Sequence, residues 1–210
     1  MYVYENSLEL NLPGCIKPVF QLRRGIVLQL LLCLELIVMA SVSASSHSML
    51  TQLPKRYDVF ISFRGEDTRN NFTSHLHAAL CRRKIETYID YRLEKGEELW
   101  PALEEAIENS YVFAVVFSEN YASSTWCLNE LTKIMKQRAK GCAVIPVFYK
   151  VDPSHVRRQK GSYGDAFAKH ERNFFHSRKK LKNWRFVLKS AANLVGWDSC
   201  HGYAFLSFYV

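Results

Sequence analysis

Apolar runs of strand length alternate with helical patterns along residues 57–195, and this alternation strongly limits the folds open to the chain. The first run, Tyr57–Phe63, reads YDVFISF, and the run at 111–117 is apolar throughout, as in a central parallel strand that is buried on both faces. Between the two runs, a 3-4 spaced apolar stripe predicts a helix over 70–83. The stripe consists of Phe72, Leu76, Ala79 and Leu80.

Further elements follow in the same alternating order. The patterns predict strands at 86–90 and 142–149 and helices at 99–109, 126–140, 163–174 and 179–195. Pro146 predicts an edge position or a bulge for the last strand, and Gly196 is expected to end the regular pattern. Loops are predicted at 91–97, 118–125 and 151–161. The expected fold is α/β, a flavodoxin-like three-layer sandwich around a central parallel sheet of about five strands.

The chain divides into a leader at 1–53, a folded unit at 54–198 and an apolar tail at 199–210. Within the leader, the apolar stretch 25–42 has three interpretations that stay open: a signal peptide, a short membrane anchor, or residues upstream of a translation start at Met39. Gln29 and Glu35 lie inside the stretch and count against an anchor, because a glutamate at mid-membrane depth is unfavourable. A membrane role is not expected for the folded unit. A glycosylation sequon at Asn71 falls in a predicted packed helix, which favours a cytoplasmic location over secretion.

Cysteine spacing and charge restrict the partners. None of the six cysteines forms a CxxC pair, so we expect reduced thiols and no metal site. The net charge is +8, and many of the basic residues lie after residue 156. Such a surface can attract phosphates or nucleic acid, whereas a solvated helix face is the plainer interpretation. Charge alone supports nucleic-acid binding only weakly.

Three loops are expected to meet at the carboxyl edge of the sheet, where ligands of open α/β sheets bind. Their candidate binding residues combine aromatic rings, cations and glycines, a set that suits a phosphorylated, ring-bearing ligand such as a nucleotide. Neither GxGxxG nor GxxxxGK[ST] occurs in the chain. The candidates are Phe63, Arg64, Gly65, Lys95, Gly96, Ser118 and Trp126.

Two carboxylates near these loops have competing interpretations. Glu130 shares a helical stripe with Trp126 and Ile134, so it flanks an apolar face. It is either half of a surface salt bridge with Lys133 or a carboxylate that steadies a positively charged ribosyl transition state. Asp67 is either a local turn or helix cap, or an accessory carboxylate.

Several long motifs in order resemble a plant Toll/interleukin-1 receptor (TIR) domain across about residues 55–198. The motifs are YDVFISFRGEDTR, TSHLHAALCRRKIETYID, WCLNEL, VIPVFYKVDPSHVRRQKGSYGDAF and KNWRFVLKSAANLVGWDS. The resemblance implies a flavodoxin-like fold, innate immune signalling, and cleavage of NAD⁺ into nicotinamide and ADP-ribose products on self-association, with no cofactor beyond NAD⁺ as substrate. It makes Glu130 the catalytic residue, and it assigns Ser74 and His75 to a TIR–TIR contact.

The resemblance also leaves a non-catalytic function open. A TIR-only chain can instead be an interaction module that docks on other TIR domains or on full-length receptors. After Asp198 the sequence departs from larger relatives, which continue into an ATPase domain and leucine-rich repeats, and it reads CHGYAFLSFYV from residue 200.

Overall fold

A mostly parallel, open sheet is the centre of the fold. The computed structural model describes residues 32, 34, 36–40, 55–89 and 100–199, and the backbone of 204–205. The strands follow the order β2-β1-β3-β4-β5-β6, and all neighbours are parallel except β5 and β6. The expected α/β fold with about five parallel strands is therefore confirmed. The strands are β1 (Tyr57–Phe63), β2 (Thr87–Ile89), β3 (Ser110–Phe117), β4 (Ala143–Phe148), β5 (Gly196–Asp198) and β6 (Ala204–Phe205).

Helices cover both faces of the sheet. The helices are α1 (36–40), α2 (Gly65–Thr68), α3 (Ser74–Arg82), α4 (Trp100–Glu108), α5 (Thr125–Ala139), α6 (Pro153–Arg158), α7 (Ser162–Asn173) and α8 (Arg178–Ala192). A π-helical turn, Arg69–Thr73, joins α2 to α3, and a 3₁₀ turn, Tyr121–Ser123, precedes α5. Helices α4 to α8 pack on one face of the sheet, and α3 packs on the other.

Alternate residues of β1, β3 and β4 supply the two cores. In β3, Phe113, Val115 and Phe117 join the core beneath helices α4 to α8, which we call the first core. The intervening residues Val112, Ala114 and Val116 join the second core, beneath α3. The period of two in a strand produces this division, and it explains why β3 is apolar along its whole length.

The turn after β1 is helical, which corrects the predicted start of the first helix at residue 70. Helix α2 begins at Gly65, directly after the strand, and the Thr68 amide donates to the Arg64 carbonyl at 3.2 Å. Glu66 and Asp67 lie in its first turn, where negative charge opposes the positive end of the helix dipole. The acidic residues that follow β1 therefore lie on a short helix.

The predicted loop at 151–161 is wrong because it contains helix α6. Asp152 is the N-cap, and its side chain accepts a hydrogen bond from the Ser154 amide at 2.6 Å. Pro153 occupies the first turn, where the absence of an amide proton costs nothing. The Asp-Pro pair thus starts a helix here.

Pro146 and Gly196 also differ from expectation. Strand β4 lies between β3 and β5, so the edge position predicted from Pro146 is wrong. The register with β5 begins at Val147, immediately after the proline. Gly196 begins β5 and does not end the regular pattern. A glycine is needed here because a Cβ would lie 2.3 Å from the Pro146 carbonyl oxygen.

Part of the leader belongs to the packed structure. Leu34 and Val38 are buried in the second core, although the folded unit was expected to begin near residue 54. The leader residues other than 32, 34 and 36–40 lie outside the described residues, as do the predicted loop at 91–97 and the tail beyond Ser199, apart from the β6 backbone. Across the described ranges, no helix has the length and apolarity needed to cross a membrane.

Candidate functional site

The site lies where the strand order reverses. Strands β2 and β3 flank β1 on opposite sides, so the chain's connections leave β1 and β3 in opposite directions and open a crevice at their carboxyl ends. Arg64 follows β1 directly, and Ser118 follows β3 directly. The first and third predicted loops therefore meet at this edge, as expected from the sequence.

Glu130 is buried on the second turn of α5, facing β1. It is 5% exposed, and its Oε2 accepts a hydrogen bond from the Ser62 hydroxyl at 2.8 Å. Lys133 forms its ion pair with Glu104 of α4. The surface salt bridge proposed for Glu130 is therefore wrong, because this carboxylate faces the interior and Lys133 has another partner. A carboxylate buried in a core is uncommon and is typical of functional sites.

Helix α5 holds Glu130 in this position through its start and its apolar face. Ser124 is the N-cap, and its hydroxyl accepts from the Cys127 amide at 3.3 Å. Leu131 and Ile134 anchor the helix in the first core with no exposed surface. The carboxylate therefore has a fixed backbone position relative to the end of β1.

Tyr121 completes a buried polar cluster around Glu130. Its hydroxyl lies 2.9 Å from the Ser62 hydroxyl and 3.3 Å from the Cys127 carbonyl oxygen, and its one proton faces both oxygens. Burial, and after it the neighbouring Cys127 and Glu130, raise the pKa of Tyr121 well above its ordinary value of 10. Tyr121 consequently keeps its proton at physiological pH and remains a donor.

Aromatic rings stand beside this cluster. Trp126, one turn before Glu130, is partly buried and meets Trp100 edge-on with ring centroids 5.1 Å apart. Phe63 belongs to the second core, and the Arg69 guanidinium lies over its ring at 5.6 Å. Trp126 is therefore placed to contact a ligand near Glu130, whereas the Phe63 ring points to the opposite side of the sheet.

Arg64 and Gly65 lie at the mouth of the crevice. Arg64 is mostly buried, its Nη2 donates to Glu66 at 2.6 Å, and its buried Nε has no hydrogen-bond partner. A Cβ on Gly65 would lie 2.7 Å from Nη2 of Arg69, so glycine lets that guanidinium approach the backbone. The second predicted loop, with Lys95 and Gly96, lies outside the described residues.

Asp67 ties the exits of β1 and β3 together. One carboxylate oxygen accepts from the Ser118 hydroxyl at 2.6 Å and from the Asn120 amide at 2.9 Å, and the other accepts from the Asn120 side chain at 3.1 Å. The predicted cap role for Asp67 is wrong, because its partners are more than 50 residues away. Ser118 was expected to line the ligand site, but its hydroxyl is buried and committed to Asp67. Tyr163 holds the same loop by donating to the Ser118 carbonyl at 2.8 Å.

The expected self-association residues lie apart from Glu130. Ser74 and His75 begin α3, on the opposite face of the sheet from α5. His75 is exposed, and the Ser74 hydroxyl donates to the Asn71 carbonyl at 3.0 Å. The pair is therefore free to serve a surface contact without disturbing the buried cluster.

Sequence reasoning missed Ser62 and Tyr121. The signal for Ser62 was present, since it is the polar residue that faces the first core in an otherwise apolar stretch of β1. Tyr121 gave no comparable signal, because it lies in a segment that was predicted as a loop. Within the part of the chain that the structure describes, no group of three metal-ligating side chains occurs.

Comparisons with known proteins show which proteins the sequence resembles. A sequence profile described as the TIR domain matches residues 56–206. The chain is 56% identical over 161 residues to disease resistance protein RPV1 of Vitis rotundifolia and 52% identical over 161 residues to TMV resistance protein N of Nicotiana glutinosa. Each alignment covers 75% of this chain but only 11% and 13% of the relative, so the chain spans about an eighth of their length.

A solved structure shows the same fold. The TIR domains of the activated Roq1 resistosome, which directly recognises the pathogen effector XopQ, superpose with a TM-score of 0.65 and 48% sequence identity. The match covers 70% of this chain and 90% of the Roq1 domain.

Proposed function

Because this chain belongs to the TIR domain family, we propose that it cleaves NAD⁺ into nicotinamide and ADP-ribose products and that it acts in plant immune signalling through self-association. The observation that carries the proposal is the buried Glu130 carboxylate, which Ser62 holds at the reversal point of the sheet. Family membership supports the choice of reaction, and the burial and hydrogen bond of Glu130 support its choice as the catalytic residue.

The chemistry needs one well-placed carboxylate. Breaking the bond between ribose and nicotinamide builds positive oxocarbenium character on the sugar. Nicotinamide already carries a positive charge in NAD⁺, so it leaves as a neutral base without a general acid. A carboxylate fixed before the reaction stabilises the developing charge on the ribose more in the transition state than in the ground state. Glu130 has the required burial and fixed position.

The neighbouring groups suit the rest of the substrate. The partly buried Trp126 offers an aromatic surface one helical turn from Glu130. Arg64 offers a cation at the mouth, where the diphosphate of NAD⁺ would need one. Asp67 is not assigned a chemical step, because its oxygens are engaged by Ser118 and Asn120.

Self-association would switch on the cleavage of NAD⁺. The similar Roq1 TIR domains are those of an activated resistosome, and His75 is exposed at the start of α3. We assign Ser74 and His75 to a TIR–TIR contact on this basis. A non-catalytic module that docks on other TIR domains would use the same contact but would not need a buried Glu130.

Nicotinamide release from NAD⁺ by the full chain tests the proposal. Purified protein is assayed over a range of concentrations and with a crowding agent, beside Glu130→Ala and the exposed control Glu105→Ala. We expect release by the wild type and the control, rising more steeply than protein concentration, and none by Glu130→Ala. A folded, associated wild type that leaves NAD⁺ intact would contradict the enzymatic proposal and favour the docking module.

A further inference from the structure

Ser62 is a buried hydroxyl at the end of β1, in contact with the carboxylate that the proposed reaction uses. It has no exposed surface, and a buried hydroxyl without partners is unfavourable. In the preceding first-core position of the same strand, Phe60 packs against other aromatic rings. A serine in place of an apolar residue here therefore weakens packing unless its hydroxyl has a role.

Counting protons fixes the direction of the hydrogen bonds. The Ser62 hydroxyl has one proton, and it donates this proton to Glu130 Oε2. Its contact with Tyr121 at 2.9 Å must then be one in which Ser62 accepts. Tyr121 is fully buried and protonated, and its one proton faces both the Ser62 oxygen at 2.9 Å and the Cys127 carbonyl oxygen at 3.3 Å, with the shorter contact to Ser62. The relay thus runs from Tyr121 to Ser62 to Glu130.

We propose that Ser62 is the positioning residue for Glu130 and that Tyr121 sets the direction in which Ser62 donates. Ser62 acts through Glu130 alone, since a residue with no exposed surface does not touch the substrate. Its hydrogen bond fixes Oε2 of the Glu130 carboxylate. The inference rests on the proposed function for its kinetic part, but the hydrogen bond itself is testable without any reaction.

The test compares Ser62→Ala, Ser62→Thr and Tyr121→Phe with the wild-type full chain. Ser110→Ala is a matched control. Ser110 is also fully buried, but it begins β3, at the opposite edge of the sheet from the site, and donates to the Ala106 carbonyl. For Ser62→Ala we expect kcat to fall roughly 10- to 100-fold with KM nearly unchanged. Ser62→Thr keeps the hydroxyl and should recover much of the loss. Tyr121→Phe should have a smaller effect.

Carbon-13 NMR of the Glu130 carboxyl supplies the readout that is independent of catalysis. Loss of a donor to the charged form raises a carboxyl pKa, so the titration of Glu130 should move to higher pH in Ser62→Ala but not in Ser110→Ala. The other ionisable groups that interact with Tyr121 are Cys127 and Tyr163, and all variants keep both. A shifted titration without NAD⁺ cleavage by the wild type would overturn the proposed function only. An unchanged titration of Glu130 in Ser62→Ala, or equal kinetic losses in Ser62→Ala and Ser110→Ala, would overturn the positioning role.

A separate observation concerns the second face of the sheet. Four strand spacings of about 4.8 Å make five strands about 19 Å wide, whereas a helix is only about 10 Å across. Among the described helices of the folded unit at 54–198, only α3 and the π-helical turn that leads into it, which contributes Phe72, pack on this face. One helix is too narrow to cover it. The additional cover comes from Leu34 and α1, because Leu34 and Val38 are in the same core as Val112 and Ile145.

The segment has a defined inner and outer side. Leu34 and Val38, four residues apart, are 0% and 7% exposed. Leu36 and Met39 are 73% and 70% exposed. This difference is expected for a docked helix, in which residues four apart share a face. From it we infer that Leu34 and α1 are a layer of the folded domain, so a product that begins at Met39 would leave part of the sheet uncovered.

Paired alanine variants of the full chain test this inference. Leu34→Ala with Val38→Ala removes the inner side, and Leu36→Ala with Met39→Ala is the control on the outer side of the same helix. We expect the inner pair to lower the melting temperature by about 6 °C or more, and the outer pair by about 2 °C or less. Equal shifts in the two pairs would show that the segment is not docked and would overturn the inference.

Discussion

The contact between Asp67 and the loop after β3 should be a main source of stability at the site. In Asp67→Ala, the two Asn120 donors lie at an exposed residue and can turn to water. The Ser118 hydroxyl cannot, because Ser118 is only 1% exposed. A buried hydroxyl left without its partner costs about 1–3 kcal/mol, and loss of a hydrogen bond to a charged acceptor lies at the upper end of that range. We therefore expect a loss of about 2–3 kcal/mol.

Urea and thermal unfolding of the full chain measure this loss. For a domain of this size, about 2–3 kcal/mol corresponds to a fall of about 4–12 °C in melting temperature. Asp165→Ala is the control, because Asp165 is exposed in the first turn of α7 and should cost less than about 1 kcal/mol. The double variant with Ser118→Ala should lose less than the sum of the two single variants. Equal losses in Asp67→Ala and Asp165→Ala, or strict additivity with Ser118→Ala, would refute the reasoning.

Three further predictions concern the framework of the site. Ser124→Ala removes the N-cap of α5 and should destabilise the protein by about 1 kcal/mol in urea unfolding, whereas Ser124→Asp should retain most of the stability. Gly196→Ala should give little soluble protein or a much lower melting temperature, because its Cβ would meet the Pro146 carbonyl oxygen; an unchanged melting temperature would contradict this packing. Burial raises the pKa of both Tyr121 and Tyr163, so the stability that their neutral forms contribute is present below pH 10 and is lost as pH rises beyond it. The unfolding free energy should fall more steeply above pH 10 in the wild type than in Tyr163→Phe.

The sequence predicted the sheet because its signals are local and strong. An apolar run such as that in β3 has one stable environment, between two layers, and alternation with helical stripes then specifies parallel strands. The predictions for individual elements failed where one residue type, proline, is compatible with two different local structures. Proline after Asp152 starts a helix here, and Pro146 fits an inner strand because the register with β5 begins just after it.

The site was only partly predictable for a related reason. Helical spacing placed Glu130 beside an apolar face, but its partner Ser62 is 68 residues away, and only the packing of α5 on β1 brings them together. Asp67 had the same ambiguity, since a carboxylate after a strand is as compatible with a cap as with a distant partner. The choice between a salt bridge and a buried carboxylate for Glu130 was decided by Glu104, which pairs with Lys133.

The burial of Leu34 and Val38 had no clear sequence signal. An apolar stretch that follows Arg23 and Arg24 matches a signal peptide or an anchor as well as a core helix, because all three need the same composition. In the structure, Leu34 and Val38 lie in the second core beside α3.

The rate of nicotinamide release by folded, self-associated protein, wild type against Glu130→Gln, tests the central claim most directly. The glutamine keeps the shape of the side chain and its contact with Ser62 but removes the charge. The account predicts release by the wild type and a loss of at least about a hundredfold in the variant, with both proteins equally associated. Equal rates, or no release by an associated wild type, would contradict it.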